Sequence, residues 1–499
     1  MSFPRASGIL LHPTSFPSRF GIGDLGTDAY HFIDFLEASG QTLWQILPLG
    51  EAGFGNSPYL AYSAMAGNPL LISPERLHEH GLLTADDLRD IPEFPLDQVD
   101  FDTAIALKMR LLRKAFSTFQ HQNKPAEQQA FVQFCTEKAS WLDDYALFMA
   151  LKHANNYASW YVWEYGLAKR HPEALSYWRD KLATEIQFRQ FIQFEFFRQW
   201  MALKAYANER KIQIIGDIPI YVAHDSVDVW AYPENFALNP DTNQPAQMAG
   251  VPPDYFSATG QLWGNPVYNW EHLEYTNFDW WVRRFEALLT YVDIIRIDHF
   301  RGLQAYWVVS EGETTAMNGW WVEAPGEALL RRIGECFGRL PIIAEDLGII
   351  TPEVEALRDQ FGFPGMKILQ FAFDSGVDNP YLPFNFPSQN CVVYTGTHDN
   401  NTTMGWFDER SLPAQWQVTK YIGPRSEHGF HWDLIRLALS TVANQAILPL
   451  QDLFGLGSWA RMNFPSRAEG NWNWRYQSEV LTPEISDRLR TLTEVYGRL

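Results

Sequence analysis

Cysteine and cationic side chains are both scarce in this chain of 499 residues. Cys135, Cys336 and Cys391 lie far apart, are odd in number and follow no metal-ligand spacing, which argues against a disulfide framework and indicates a reducing compartment. Lys and Arg total 39 against 59 Asp and Glu, so the formal net charge is -20. Because such a charge repels phosphate backbones and anionic lipid surfaces, we expect no nucleic-acid partner and no membrane partner.

Long apolar runs are missing as well. Residues 1–15 lack the apolar core of a signal peptide, and no stretch approaches the roughly 20 apolar residues of a membrane span. We therefore expect a cytoplasmic protein. Apolar residues still make up 46% of the chain, which is enough to build a large core.

The sequence contains no Walker lysine, no nucleophile elbow and no CxxC pair. Residues 21–26 spell GxGxxG, but Asp24 inside that string would repel a pyrophosphate, so the pattern predicts a tight turn before a helix. His78 and His80 lack the i, i+4 spacing of a zinc-binding pair. We predict neither a cofactor nor a metal.

Aromatic residues are abundant, with 20 Trp, 21 Tyr and 34 Phe. Sugar rings stack on aromatic faces, so the excess suggests a carbohydrate ligand. The alternative is that these side chains fill a large core. Composition leaves both interpretations open.

Eight short apolar runs recur along the chain, and most of them end in a polar or charged residue. They cover residues 9–12, 43–48, 212–217, 292–298, 342–345, 366–372, 392–397 and 446–450. Stretches of helical character, such as 28–38 and 280–289, lie between most of them. Nearly continuous apolar strands that alternate with helices indicate a parallel sheet covered on both faces. Eight such units favour an α/β fold of the (β/α)8 TIM barrel type, with large insertions between strands, over an open sheet.

Two intervals between the predicted strands are too long for ordinary crossovers. We expect residues 1–499 to form a single catalytic barrel in which residues 50–210 are a mainly α-helical insertion after strand 2. Helical periodicity inside that interval covers residues 104–119, 128–154 and 184–209. Residues 221–280, rich in Pro, Gly, Asn, Trp and Tyr, are expected to be an insertion with an active-site lid loop after strand 3.

Acidic residues end several of the predicted strands. Asp217, Asp298 and Glu345 end the third, fourth and fifth runs, and His398 and Asp399 follow the seventh. In a barrel the residues at the carboxyl ends of the strands face the active site. Any one of these acids could instead be an ion-pair partner or a helix cap. Several buried acids with few cations to pair them would be costly, however, so their convergence favours a catalytic interpretation.

Arg296 and Asp298 are two residues apart, and the period of a strand places both side chains on its inward face. The guanidinium is expected to lower the pKa of Asp298 and keep it ionised, as a nucleophile requires. The apolar residues before Glu345 are expected to raise its pKa, as a general acid requires. One ionised and one protonated carboxyl group, about 5 to 5.5 Å apart, perform glycoside chemistry with retention.

Three segments carry a resemblance to a known family. Residues 296–302 (RIDHFRG), 344–348 (AEDLG) and 394–400 (YTGTHDN) resemble the catalytic motifs of the amylomaltases, the 4-α-glucanotransferases or disproportionating enzymes of glycoside hydrolase family 77. Supporting stretches match in order along almost the entire chain, at residues 56–59, 216–222, 250–256, 262–266, 362–372 and 451–463. Asn401, Trp459 and Phe464 depart from the family pattern, and none of them is one of the three motif carboxylates.

The resemblance implies a retaining glucanotransferase on a barrel related to the α-amylases. Asp298 would be the nucleophile, Glu345 the general acid/base, and Asp399 the carboxylate that stabilises the transition state. The implied substrate contacts are Ser57, Tyr59, Asp217, Asp254, Trp263, Arg296, Asp374, His398 and Asn463. Residues 250–256 would form a lid over the cleft.

We therefore predict an enzyme that moves a segment of an α-1,4-glucan to the 4-OH of another glucan or of glucose, without a cofactor. An α-amylase-like hydrolase is the nearest alternative, because only the competition between acceptor and water separates the two. A non-catalytic glucan-binding protein on a degenerate barrel is the alternative from another class. The full set of acids argues against it.

Overall fold

A sheet of eight parallel strands lies at the centre of the structure, a computed structural model that describes residues 3–122, 124–253, 257–465, 467 and 469–499. Twelve strands occur in these residues: β1 (Ala6–Leu10), β2 (Leu43–Gln45), β3 (Gln213–Ile218), β4 (Gln247–Val251), β5 (Gln261–Pro266), β6 (Ile294–Ile297), β7 (Ala305–Ser310), β8 (Trp320–Glu323), β9 (Ile342–Ala344), β10 (Gly365–Ile368), β11 (Cys391–Tyr394) and β12 (Gln445–Pro449).

The central sheet has the order β10-β11-β12-β1-β2-β3-β6-β9, and all its pairings are parallel. The remaining seam lies between β9 and β10, where the Ala344 N–H donates to the Pro364 carbonyl at 2.9 Å. The sheet is thus almost fully closed into a barrel. The predicted (β/α)8 fold is confirmed, and each of the eight predicted runs contributes one of these strands.

The strands are buried on both faces, as a sheet enclosed by helices requires. Inside the barrel the Tyr394 hydroxyl donates to Gln45 Oε1 at 2.8 Å. These two side chains belong to β11 and β2, which are not neighbours in the sheet, so the hydrogen bond crosses the interior. Several strand ends differ from the prediction, and the end of the sixth run differs most. The run at 366–372 leaves the sheet at Ile368 and continues as a 3-10 helix over Leu369–Phe373.

Helices surround the barrel and fill the long interval between β2 and β3. The described residues contain α1 (Thr27–Ala38), α2 (Pro74–Glu79), α3 (Phe101–His121), α4 (Pro125–Ala154), α5 (Tyr165–Ala168), α6 (Pro172–Lys181), α7 (Ala183–Glu209), α8 (Val227–Ala231), α9 (Trp270–Tyr275), α10 (Asp279–Tyr291), α11 (Gly326–Phe337), α12 (Pro352–Gln360), α13 (Thr403–Asp408), α14 (Leu412–Ile422), α15 (Phe430–Ser440), α16 (Leu450–Leu453) and α17 (Pro483–Val495). No helix in these described ranges is long and apolar enough to cross a bilayer.

The three long helices α3, α4 and α7 pack through aromatic side chains. Phe119 lies 5.4 Å from Phe131 and 5.0 Å from Phe191, measured between ring centroids. A buried ion pair fixes α3 to the first loop of the barrel, because Lys108 Nζ donates to Asp24 Oδ2 at 2.7 Å. Many of the aromatic residues therefore do fill the core, as the alternative interpretation of the composition held.

A second, antiparallel sheet lies beside the barrel in the order β5-β4-β7-β8. No sequence pattern predicts it, because β4 and β5 lie in a segment rich in Pro, Gly and Asn, and β4 pairs on its other side with β7. The connection between β4 and β5 includes part of the predicted lid at 250–256. Of that lid, Asp254, Tyr255 and Phe256 lie outside the described residues.

Candidate active site

The carboxyl ends of β3, β6, β9 and β11 bring the predicted acids to one mouth of the barrel. The Asp298 N–H donates to the Ile218 carbonyl at 3.0 Å, and the Glu345 N–H donates to the Ile297 carbonyl at 3.0 Å. Backbone hydrogen bonds between neighbouring strands thus continue just past the strand ends. These bonds fix Asp298 and Glu345 on adjacent strands, with both side chains at the same end of the barrel.

Arg296 lies at the centre of this cluster. It stands opposite Asp217 in the register of β3 and β6, and its Nη1 donates to Asp217 Oδ2 at 2.6 Å and to Asp298 Oδ1 at 3.0 Å. Burial by itself would lower the pKa of Arg296, but the two carboxylates raise it well above its usual value. The guanidinium therefore stays charged and holds both carboxylates in place.

The pKa of Asp298 departs from the sequence-based expectation. Desolvation at the barrel mouth raises the pKa of this carboxyl well above its usual value, and the Arg296 charge lowers it only in part. Asp217, Glu345 and Asp399 raise the pKa further, because like charges oppose ionisation. Arg296 acts in the predicted direction, but the predicted net direction was wrong because desolvation outweighs the effect of this one cation, which Asp298 shares with Asp217.

Glu345 accepts two backbone hydrogen bonds, from the His299 N–H at 2.6 Å and from the Leu347 N–H at 3.1 Å. These contacts fix both of its oxygens. Burial raises the pKa of Glu345 to about 7, against the opposing effects of Arg296 and the His299 N–H. The upward direction agrees with the expectation for a general acid, and the pKa lies close to neutral pH.

Tyr59 connects the Asp217 carboxylate to His398. Its hydroxyl donates to Asp217 Oδ2 at 2.7 Å and lies 3.0 Å from His398 Nε2. Because the hydroxyl proton points to Asp217, the second contact requires the proton on His398 Nε2. The two rings also stack, with centroids 5.2 Å apart, and the ring of Trp472 packs against both.

Asp399 is half exposed and faces the open cleft. Asn463 Nδ2 donates to its Oδ1 at 2.7 Å, and His398 Nε2 lies 3.4 Å from its Oδ2. Arg461 Nη2 donates to the Asp399 carbonyl at 2.9 Å, which anchors the backbone of the residue. The Asp399 side chain is thus held at the rim and remains accessible to a ligand.

A cleft of about 1240 Å³ lies above these groups. Its lining includes seven of the predicted site residues, namely Ser57, Tyr59, Trp263, Asp298, His398, Asp399 and Asn463. Asp217 and Arg296 are buried below the mouth and support it. The cleft is large enough for several sugar rings, and it combines aromatic faces with carboxylates.

Two predicted substrate contacts do not join this cluster. Asp254 lies outside the described residues. Asp374 is half exposed, its Oδ1 lies 2.8 Å from Arg410 Nη1, and it is not among the described residues that line the cleft. A substrate contact by either residue stays a prediction.

Several residues of the cleft escaped the sequence analysis. Tyr221 and Trp472 line it, and His299 contacts both Trp263 and Glu345. Trp472 lies in a tryptophan-rich string at 471–474, next to the stretch at 451–463 that supports the resemblance. That string is the sequence feature that could have indicated an aromatic residue of the cleft. His299 lies inside the RIDHFRG motif, but nothing in the motif indicates its backbone conformation.

Comparison with known proteins agrees with this geometry. The family model described as 4-alpha-glucanotransferase matches residues 11–482. The 4-alpha-glucanotransferase of Synechocystis sp. is 59% identical over 99% of this chain and 98% of its own length. That of Thermus thermophilus is 50% identical over 100% of both chains. The solved amylomaltase of Streptococcus agalactiae in complex with acarbose superposes with a TM-score of 0.96 at 39% identity, covering 99% of each chain.

The barrel, the acids gathered at its mouth and these full-length similarities agree, and the resemblance found in the sequence is confirmed. The chain belongs to the 4-alpha-glucanotransferase family.

Proposed function

We propose that this chain cleaves an α-1,4-glucan donor and transfers the released segment to the 4-OH of another glucan or of glucose, by a double displacement that retains the anomeric configuration. The observation that carries the proposal is the placement of Asp298 and Glu345 on adjacent strand ends, with Arg296 bonded to Asp298 alone of the two. Membership of the family supports the reaction class.

Before substrate binds, burial raises the pKa of both Asp298 and Glu345, so each of these carboxyl groups binds a proton more readily than an exposed acid does. A direct charged hydrogen bond from a guanidinium stabilises a carboxylate more than neutral amide donors do. Asp298 has that bond with Arg296 Nη1, whereas Glu345 has two backbone N–H donors. Asp298 is therefore the ionised member in the reactive form, and Glu345 keeps the proton.

In the first displacement, an Asp298 oxygen attacks the anomeric carbon and forms a glycosyl ester while the bond from that carbon to the leaving 4-oxygen breaks. Glu345 gives its proton to that oxygen and becomes a carboxylate. In the second displacement, Glu345 takes the proton of an acceptor 4-OH, whose oxygen attacks the anomeric carbon and releases Asp298. Both carboxyl groups return to their starting states.

The neighbouring groups stabilise the positive charge that develops on the sugar ring. Asp399, fixed by Asn463, is placed at the rim to bind sugar hydroxyls and oppose that charge. Arg296 and Asp217 keep Asp298 in position from below. We assign Tyr59 and Trp263 to stacking with sugar rings.

Transfer exceeds hydrolysis only when an acceptor sugar reaches the glycosyl ester before water does. The cleft walls support this selection, because the lining includes the aromatic rings of Tyr221, Trp263 and Trp472 as well as Tyr59. An acceptor held on such faces is oriented for attack, which raises its effective concentration far above that in solution.

The deciding experiment is incubation of the pure protein with maltotriose. Glucose together with a ladder of longer maltooligosaccharides supports transfer. A gain of reducing ends without a ladder would identify a hydrolase. No change in the maltotriose would leave only the glucan-binding alternative.

We also propose that residues 1–499 act as one catalytic unit, with 50–210 as a helical insertion and 221–280 as an insertion that carries the lid. The pairing of β1 with β12 supports a single barrel, and α2 to α7 occupy the first interval. A cytoplasmic location is supported by the free state of Cys135, Cys336 and Cys391.

A further inference from the structure

His299, the residue after Asp298, has an unusual backbone conformation. Its φ and ψ are both 50°, in the left-handed region. Side chains other than glycine rarely adopt this conformation, although His, Asn and Asp are enriched among those that do. Such a conformation costs free energy and persists where the surrounding structure imposes it, often at functional sites.

The left-handed turn lets one residue contact two parts of the site. The His299 N–H donates to Glu345 Oε2 at 2.6 Å, the shorter of the two backbone hydrogen bonds to that carboxyl. Its imidazole lies 4.9 Å from the ring of Trp263, at an interplanar angle of 84°. This edge-to-face arrangement is favourable between aromatic rings and fixes their relative orientation.

The surroundings leave a defined space for this imidazole. Gly302 lies beside it, and a Cβ at that position would meet Ile220 Cδ1 at 2.5 Å and His299 Cδ2 at 3.2 Å. Burial lowers the pKa of His299 to about 3, so the ring is neutral and contacts Trp263 as an uncharged aromatic. The ring has no hydrogen bond to any described residue, and among the described residues its aromatic partner is Trp263.

Trp263 also contacts two other described side chains. Its indole N–H donates to Gln261 Oε1 at 3.3 Å, a long hydrogen bond to a neighbour on the same strand, and its ring centroid lies 6.4 Å from that of Tyr221. The His299 ring is nearer than that of Tyr221. Of these two described aromatic neighbours, His299 therefore constrains the orientation of the Trp263 ring more closely.

We propose that His299 is a positioning residue that sets the Trp263 ring relative to Glu345 and so favours an acceptor sugar over water at the glycosyl ester. The inference rests on the proposed function. The acceptor must lie where Glu345 can take its 4-OH proton, and His299 is the residue that contacts both Glu345 and Trp263. The residue acts through its two neighbours and not on the reacting atoms.

Two substitutions distinguish the role of the His299 backbone N–H from the role of its ring. His299→Asn keeps the N–H to Glu345 and suits the left-handed conformation, but it removes the aromatic contact. His299→Phe keeps an aromatic ring, and Phe278 shows that this chain accommodates phenylalanine at φ 56°. With maltotriose as donor and isotopically labelled glucose as acceptor, both transfer and release of reducing ends can be counted.

For His299→Asn we expect the KM of the acceptor to rise and the ratio of transfer to hydrolysis to fall, each about three- to tenfold, the range that loss of one aromatic contact produces. The kcat for donor cleavage should change less than either quantity. His299→Phe should restore the ratio to within about twofold of wild type. Lys211→Asn, at φ 61° on an exposed residue at the opposite end of β3, is the control for substitution at a left-handed position.

A His299→Asn protein with wild-type acceptor KM and transfer ratio would overturn the inference. An equal loss of transfer in His299→Phe would also overturn it, and that outcome remains measurable if the Asn variant fails to fold. Failure of the proposed function looks different. In that case the wild-type protein itself makes no ladder from maltotriose.

Discussion

One nitrogen of Arg296 serves two carboxylates, with Nη1 2.6 Å from Asp217 Oδ2 and 3.0 Å from Asp298 Oδ1. The shorter bond goes to Asp217, which is the more deeply buried of the two acids. Asp217 thus holds the guanidinium in place, and the guanidinium in turn holds Asp298 at the edge of the cleft. The arrangement leaves the second oxygen of Asp298 free of this ion pair.

Replacing Asp298 with Asn should abolish turnover of every donor, because an amide cannot form the glycosyl ester. The fold should change little, since Asn is nearly isosteric with Asp and the Arg296 bond can be kept by the amide oxygen. Product chromatography after prolonged incubation with maltotriose measures the loss, and circular dichroism checks the fold. Substantial activity in this variant would refute the assignment of the nucleophile.

The rate should fall as pH rises through the pKa of Glu345, which burial raises to about 7. The protonated form is the acid that the first displacement needs, so activity is lost above this pH, and it also falls at low pH, where the raised pKa of Asp298 leaves the nucleophile protonated. A profile of kcat/KM against pH measures the alkaline limb. Glu345→Gln should lose nearly all activity on maltotriose at every pH, and unchanged activity would refute the assignment of Glu345 as the general acid/base.

The same carboxyl group should make stability depend on pH. Its pKa is higher in the folded protein than the usual 4.5, so the folded state binds more protons than the unfolded state between these two values. Stability from this group is present at low pH and is lost as pH rises through about 7. The change in melting temperature caused by Glu345→Gln should therefore be more favourable at pH 8 than at pH 5. An equal shift at both pH values would contradict the raised pKa.

Tyr59→Phe removes the hydroxyl that lies between Asp217 and His398 but keeps the stacked ring. Asp217 Oδ2 keeps its bond from Arg296 and loses one of two hydrogen bonds, so we expect about 0.5–1.5 kcal/mol of lost stability, together with a fall in kcat/KM. Denaturant unfolding and initial rates measure the two effects. Tyr206→Phe is the matched control, because Tyr206 donates to Asp34 at 2.7 Å on an exposed surface. If Tyr206→Phe lost as much activity as Tyr59→Phe, the loss could not be assigned to the Tyr59 hydroxyl in the active site.

Lys108→Met should destabilise the protein by about 3–5 kcal/mol, because it leaves the buried Asp24 carboxylate without its cation. The double variant with Asp24→Asn should recover much of the loss, since no unpaired charge remains. Urea unfolding measures both variants. If the double variant were no more stable than Lys108→Met, packing and not charge would explain the loss.

The sequence predicted the strands and acids of the barrel because parallel strands are buried on both faces and read as apolar runs. The end of the sixth run was misplaced at 366–372, since a 3-10 helix with the same apolar character follows Ile368 directly. The small antiparallel sheet escaped because its ladder joins β4 to β7, and pairing of that kind leaves no local pattern. The net pKa direction of Asp298 escaped because it depends first on burial and then on three other acids that the fold brings close.

The pairing of β1 with β12 joins Ala6 to Gln445, so the barrel closes between distant parts of the chain. Loop closure over such a separation is slow, and the helices α3, α4 and α7 can form from local contacts long before it. During synthesis β1 and β2 are made long before β12, which is the neighbour of β1 on its other side. One apolar edge of β1 therefore stays unpaired until β12 has been made. Folding of this molecule should therefore be limited by completion of the β1–β12 seam, and the helical layer should form before the active site exists.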